Sequence, residues 1–128
     1  GNSPLSHEDV FTSIEFDSST GTLYGVAFLT DSHKLVTIDP DTGEVTPVDT
    51  SPGVTGGVSF NFSALDPINH HYFIFNEDPP GTGIQLVAFD TRTGAVVGNS
   101  PLSHEDVFTS IEFDSHQHVY LPLILHNP

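Results

Sequence analysis

LVTIDPDTGEV (35–45) and LVAFDTRTGAV (86–96) are two readings of one line. Leu35 falls on Leu86, Val36 on Val87, Asp39 on Asp90, Thr42 on Thr93, Gly43 on Gly94 and Val45 on Val96. Each is an apolar run, a turn opened by Asp and closed by Gly, and a second apolar run. In PDTG (40–43) proline presets φ and glycine supplies a positive φ, which is hairpin chemistry. Upstream, Phe16-Asp17-Ser18 falls on Leu65-Asp66-Pro67, and Tyr24 falls near Phe73. The chain therefore repeats with a period of about 49 residues, from Asp17 to Asp66 to Asp114. Fixed internal spacing is the mark of a repeat architecture.

A second repetition is literal. GNSPLSHEDVFTSIEFDS (1–18) returns unchanged at 98–115. The two repetitions divide the 128 residues into one repeat domain. Its units run over about 11–58 and 59–107, with a partial third over 108–128.

Each full unit reads as four short strands. In the first, 11–16 alternates Ile14 and Phe16 with Ser13 and Glu15, the pattern of a half-buried strand. LYGVAFLT (23–30), LVTID (35–39) and EVTPVD (44–49) follow, separated by turns. The second repeats the order with SFNFSAL, HYFIFN, IQLVAFD and AVVGNS. Strands at this spacing, with no sustained helical period, predict an all-β fold of antiparallel four-stranded units.

The line formed by Ile14, Phe16, Asp17, Gly21, Leu23 and Tyr24, then Leu35, Ile38, Asp39, Thr42, Gly43 and Val45, resembles the blades of secreted bacterial β-propellers of the YVTN-like kind. The likeness covers about 11–125. It implies propeller-like blades, two full and a partial third, and an extracellular or cell-surface setting. Trp is absent, so there is no Trp-Asp signature, and no strand carries the paired glycines of kelch repeats. Propellers close with four to eight blades. Units of this kind are stabilised by stacking on neighbours, so other copies of the chain are the expected partner. A closed set of contacts gives a ring, and an open head-to-tail set gives a filament. The identical ends suit such a contact, because a socket that accepts 98–115 accepts 1–18 of a neighbour. The apolar positions expected to serve assembly are Phe11, Ile14, Phe16, Phe108, Ile111, Phe113, Tyr120, Leu121, Leu123 and Leu125. The tail HQHVYLPLILHNP (116–128) is the most apolar segment and is expected to be docked; Pro122 places it at an edge or a bulge.

Composition narrows the alternatives. Seventeen acids face only Lys34 and Arg92, for a formal net charge of −15. Nucleic acid is not expected as a partner, because phosphate contacts need Lys and Arg. VYLPLIL (119–125) is too short for a membrane span, so insertion is not expected. There is no Cys, hence no disulfide or thiolate metal site, and no Met, so Gly1 is expected to follow a processing or cleavage step.

Candidate chemistry is sparse, and no cofactor is expected. His116 and His118, at i and i+2, share one face of a strand and make a possible start for a Zn²⁺ or Cu²⁺ site. Asp39 and Asp41 echo part of a Ca²⁺ loop. In the second unit Arg92 stands where Asp41 stands in the first, which favours a turn over a cation site. His-Glu-Asp at 7–9 and 104–106 has triad residue types, but adjacent residues in a short loop cannot orient one another for catalysis. Asn61-Phe62-Ser63 is a glycosylation sequon inside an expected strand. The expected function is non-enzymatic: a structural repeat protein that self-assembles head to tail. The alternative is a lectin-like ligand- or glycan-binding module using loops near Tyr24 and Tyr72.

Overall fold

The computed structural model describes residue 4 and residues 14–29, 32–48, 53–55, 57–77, 83–102, 112–114 and 118–120, with backbone only for 57–61, 112–114 and 118–120. The strands are β1 (Glu15–Asp17), β2 (Thr22–Leu29), β3 (Ser32–Ile38), β4 (Val45–Pro47), β5 (Gly57–Asp66), β6 (His71–Glu77), β7 (Gln85–Asp90), β8 (Val96–Pro101), β9 (Glu112–Asp114) and β10 (His118–Tyr120). They form two four-stranded antiparallel sheets, β1-β2-β3-β4 and β5-β6-β7-β8, and a β9–β10 hairpin. The described residues include no helix. The chain is all-β, as its turn spacing predicts.

The two sheets share one register. Phe16 faces Leu23 as Leu65 faces Tyr72. Leu23 faces Ile38 and Ile38 faces Val45, as Tyr72 faces Phe89 and Phe89 faces Val96. The β9–β10 hairpin is one residue tighter, pairing Phe113 with Val119 six residues on, where Phe16 meets Leu23 and Leu65 meets Tyr72 seven residues on.

Aspartate heads four of the hairpin turns for the same reason. Its Oδ1 accepts the backbone N–H two residues on: Ser19 on Asp17 (2.9 Å), Asp41 on Asp39 (2.8 Å), Ile68 on Asp66 (3.0 Å) and Arg92 on Asp90 (2.7 Å). These Asx turns give the chain reversal an acceptor that the strand ladders do not supply. Gly21, Gly43 and Gly94 end three of the turns with positive φ, and His70 takes that conformation (φ 63°) at the position of Gly21.

Both faces of each sheet are apolar, and the two sheets meet through unlike faces. Tyr24, Val26 and Leu35 of the first sheet form one buried cluster with Tyr72, Ile74, Val87 and Phe89 of the second. In repeat terms Tyr24, Val26 and Leu35 correspond to Phe73, Phe75 and Leu86, on the other face of the second sheet. The segment joining the sheets is pinned to β3, where His33 and Val54 exchange backbone hydrogen bonds of 2.8 Å each. Gly53 lies so close to this pairing that a Cβ would sit 2.0 Å from the His33 carbonyl oxygen, so only glycine fits.

One expectation is corrected here. Of the strand expected at 11–16, residues 11–13 lie outside the described residues; β1 begins at Glu15, and Ile14 lies outside it. Its burial is also the reverse of a half-buried strand with apolar residues inward. Phe16 is 59% exposed, while Asp17 is buried, because its carboxylate is drawn in to hold the turn.

Candidate assembly interface

Stacking through unlike faces leaves one face of each kind turned away from the shared cluster. On the first sheet it carries Leu23, Ala27, Val36, Ile38 and Val45. Phe16, paired with Leu23, lies on this face too. On the second sheet it carries Ala64, Phe73, Phe75 and Leu86, with Phe62, Ile84 and Leu102 against them. We call these the outer faces.

The structure contains an internal standard for their burial. Leu65, the counterpart of Phe16, packs against the cluster between the sheets, whereas Phe16 is 59% exposed. Val26 and Leu35 are essentially fully buried against the second sheet; their counterparts Phe75 and Leu86 are buried and half-buried. On the first sheet's outer face Ala27, Val36, Ile38 and Val45 are buried. Its open part is therefore the β1 edge. Burying a Phe or Leu side chain is worth about 1.5–3 kcal/mol, a stabilisation that the 59%-exposed Phe16 largely forgoes.

The strands also meet at their edges. β1 lies against β5, and β5 lies against β9, so the first strand of each unit neighbours the first strand of the next. The Ser63 hydroxyl donates to Glu15 Oε2 across the first of these contacts.

Among the residues expected to serve assembly, Ile14 (50% exposed) and Phe16 are at the surface. Phe113 lies on β9 and Tyr120 on β10, placed by backbone register alone. Phe11, Phe108, Ile111, Leu121, Leu123 and Leu125 lie outside the described residues, as does the rest of the apolar tail. The pattern of alternation did not single out the outer face of the second sheet, with Phe73 and Leu86. Its signal in the sequence is that both faces of β6 and β7 are apolar, which a one-sided sheet would not require.

The candidate metal residues divide similarly. His118 is in β10, and His116 lies outside the described residues. Asp39 Oδ1 is occupied by the N–H groups of Asp41 and Thr42, at 2.8 and 3.2 Å. Among the described residues no group of three His, Asp or Glu side chains is placed to hold a metal ion. At the matching turn, Arg92 pairs with Asp90 at 3.1 Å. The hydrogen bond from its side chain holds the Asp90 carboxyl below its ordinary 3.8, outweighing the opposing effect of burial.

One polar cleft of about 360 Å³ lies beside the linking segment, lined by Gly53, Val54, Thr55, Asn76, Gln85, Val96 and Asn99. Asn76 is buried; its Nδ2 donates to the Thr55 carbonyl at 3.1 Å, and its Oδ1 has no hydrogen-bond partner among the described residues. Nearby, His33 is buried between Phe28 and Val54. Desolvation holds its imidazole below the ordinary 6.5, against the raising effect of a hydrogen bond to the Val54 backbone. Comparison of the chain with protein-family models, with curated proteins and with solved structures finds no match.

Proposed function

We propose that this chain is a non-enzymatic, propeller-like repeat protein whose function is assembly with copies of itself, head to tail. The observation that carries the reading is the stacking of the two sheets through unlike faces. An interface of that kind is heterologous, and it propagates until a ring closes or a filament grows. The outer face of the second sheet has the repeat positions that the first sheet uses against the second. The outer face of the first sheet has the positions that the second uses against the first. A second copy therefore offers each outer face the surface it already matches inside one chain. Phe16 is then the counterpart of Leu65 in a contact between copies.

The reading is tested by multi-angle light scattering of the purified chain from micromolar to hundred-micromolar concentration. Masses that rise in whole multiples of the chain support it. One chain mass across the range, with cooperative unfolding, contradicts it.

A second reading rests on the cleft beside Asn76. A buried carboxamide oxygen without a partner is costly unless a donor reaches it, and carboxamides with Thr55 make a polar lining that suits a hydroxyl-rich ligand such as a sugar. Binding on a glycan array that is lost in Asn76→Leu supports it; an empty array contradicts it.

A further inference from the structure

β8 is an edge strand with little holding it beyond its backbone. Five of its six residues are exposed, and the sixth, Gly98, is half-buried. It pairs with β7 in a fixed register: Gly98 opposite Ala88, Asn99 opposite Val87, Ser100 opposite Leu86 and Pro101 opposite Gln85. Leu102 then anchors the end of the strand. Its N–H donates to the Ile84 carbonyl at 3.0 Å, and its side chain packs against the cluster around Phe75. Beyond it the chain reaches β9, which lies against β5.

Gly1-Asn2-Ser3-Pro4-Leu5 has the sequence of Gly98-Asn99-Ser100-Pro101-Leu102, and the identity continues through Ser18 and Ser115. Every contact that 98–102 makes with β7 and Ile84 is therefore available, residue for residue, to 1–5 of another copy. Residues 15–17 form β1 and the identical residues 112–114 form β9, each paired antiparallel to the strand that follows it, the β9–β10 connection being one residue shorter.

We infer that residues 1–18 of one copy replace 98–115 of another, with Gly1–Pro4 pairing antiparallel to β7 and Leu5 taking the place of Leu102. The incoming β1 then lies against β5 where β9 lay, and brings Phe16 and the outer face of its own first sheet onto Phe73, Phe75 and Leu86. The exchange rests on the head-to-tail reading and supplies its joint. It substitutes identical contacts, so the displaced strand costs little, and exchange of identical elements is a low-cost route to oligomers. Since β8 buries almost no side chain, peeling it forfeits mainly ladder hydrogen bonds, which the incoming strand restores.

The test uses two full-length variants, Pro4→Cys and Gln85→Cys, in a chain that has no other thiol. Residues directly opposite in an antiparallel pair have Cα atoms roughly 4.5–5.5 Å apart, within the range of a disulfide. The two variants, one carrying a mass tag, are mixed, oxidised mildly and run on a non-reducing gel; the same mixture is sedimented under reducing conditions. The expected result is association together with a mixed disulfide exceeding either like-with-like product several-fold. Deleting residues 1–10 is expected to weaken association at least ten-fold. Association without the mixed disulfide, and unchanged by the deletion, overturns the exchange and leaves face-to-face stacking standing. No association in either condition overturns both.

Discussion

The Ser63 hydroxyl and the Glu15 carboxylate are 2.9 Å apart and join β5 to β1, the first strands of two successive units. The bond ties two sheets whose shared cluster is apolar, and it links one first strand to the next. A partly buried hydrogen bond to a charged group contributes about 1–2 kcal/mol. Ser63→Ala is expected to lower unfolding stability by that amount in a urea titration, and Glu15→Gln by less, because the amide oxygen can still accept. The double variant is expected to cost less than the sum of the two single variants, because they share one bond.

Gly53→Ala is expected to be among the most damaging single substitutions in the described residues. Its Cβ would meet the His33 carbonyl oxygen and carbon, both backbone atoms, at 2.0 and 2.7 Å. Relief requires breaking the His33–Val54 pairing, which forfeits two hydrogen bonds and disturbs the burial of Val54 between the sheets. The cost is expected to be about 2–4 kcal/mol, read as a fall in the denaturation midpoint, while Val97→Ala on exposed β8 stays within about 0.5 kcal/mol.

Stability is expected to fall between pH 7.5 and 5.5, and His33 is the cause. Desolvation depresses its folded-state pKa below the ordinary 6.5. The unfolded chain therefore takes up the proton first, so the contribution is complete above 6.5 and is lost as pH drops through that value. Asp17 and Asp90 do not act in this window. For Asp17, burial raises the carboxyl, but hydrogen bonds from Ser19 and Thr20 outweigh it and hold it below 3.8. Both lose their contributions only in stronger acid. Thermal unfolding of the native chain and His33→Phe across the range checks this: the native midpoint falls, and the variant's falls less.

Association is expected to run the other way. Acid makes the formal charge of −15 less negative, which weakens repulsion between copies. Salt screens the same repulsion. A sedimentation series is expected to show larger species at pH 5.5 than at pH 7.5, and a smaller difference between the two at 0.5 M NaCl. Equal distributions in all four conditions would separate the acidic surface from the contact.

Much of the fold is legible in the sequence because hairpin chemistry is local. Asp39 to Gly43 and Asp90 to Gly94 mark their turns in the letters themselves, and the turns set the register that carries Leu23, Ile38 and Val45 onto Tyr72, Phe89 and Val96. The stacking is not legible. Alternation tells which residues share a face, but when Tyr24 and Leu23 are both apolar it does not tell which face meets the next sheet. The outward turn of Phe16 is hidden for a related reason. The alternation of Ile14 and Phe16 reads as burial, and the competing claim of Asp17 on the inside of its turn depends on Ser19 in three dimensions. The contact of Gly53 with His33 joins positions far apart in the chain, beyond the reach of any local pattern.

The head-to-tail contact is tested most directly by two complementary variants. Phe16→Glu places a charge on the outer face of the first sheet, and Leu86→Glu places one on the outer face of the second; circular dichroism verifies that each keeps its sheets. Sedimentation equilibrium is then run on each variant and on their equimolar mixture. Neither variant is expected to assemble alone, since every contact between like copies would use one blocked face. The mixture is expected to form a heterodimer and stop there, because only one pair of intact faces remains. A variant that still self-associates as fully as the native chain, or a mixture that stays at the 13.8 kDa of one chain, would contradict the account.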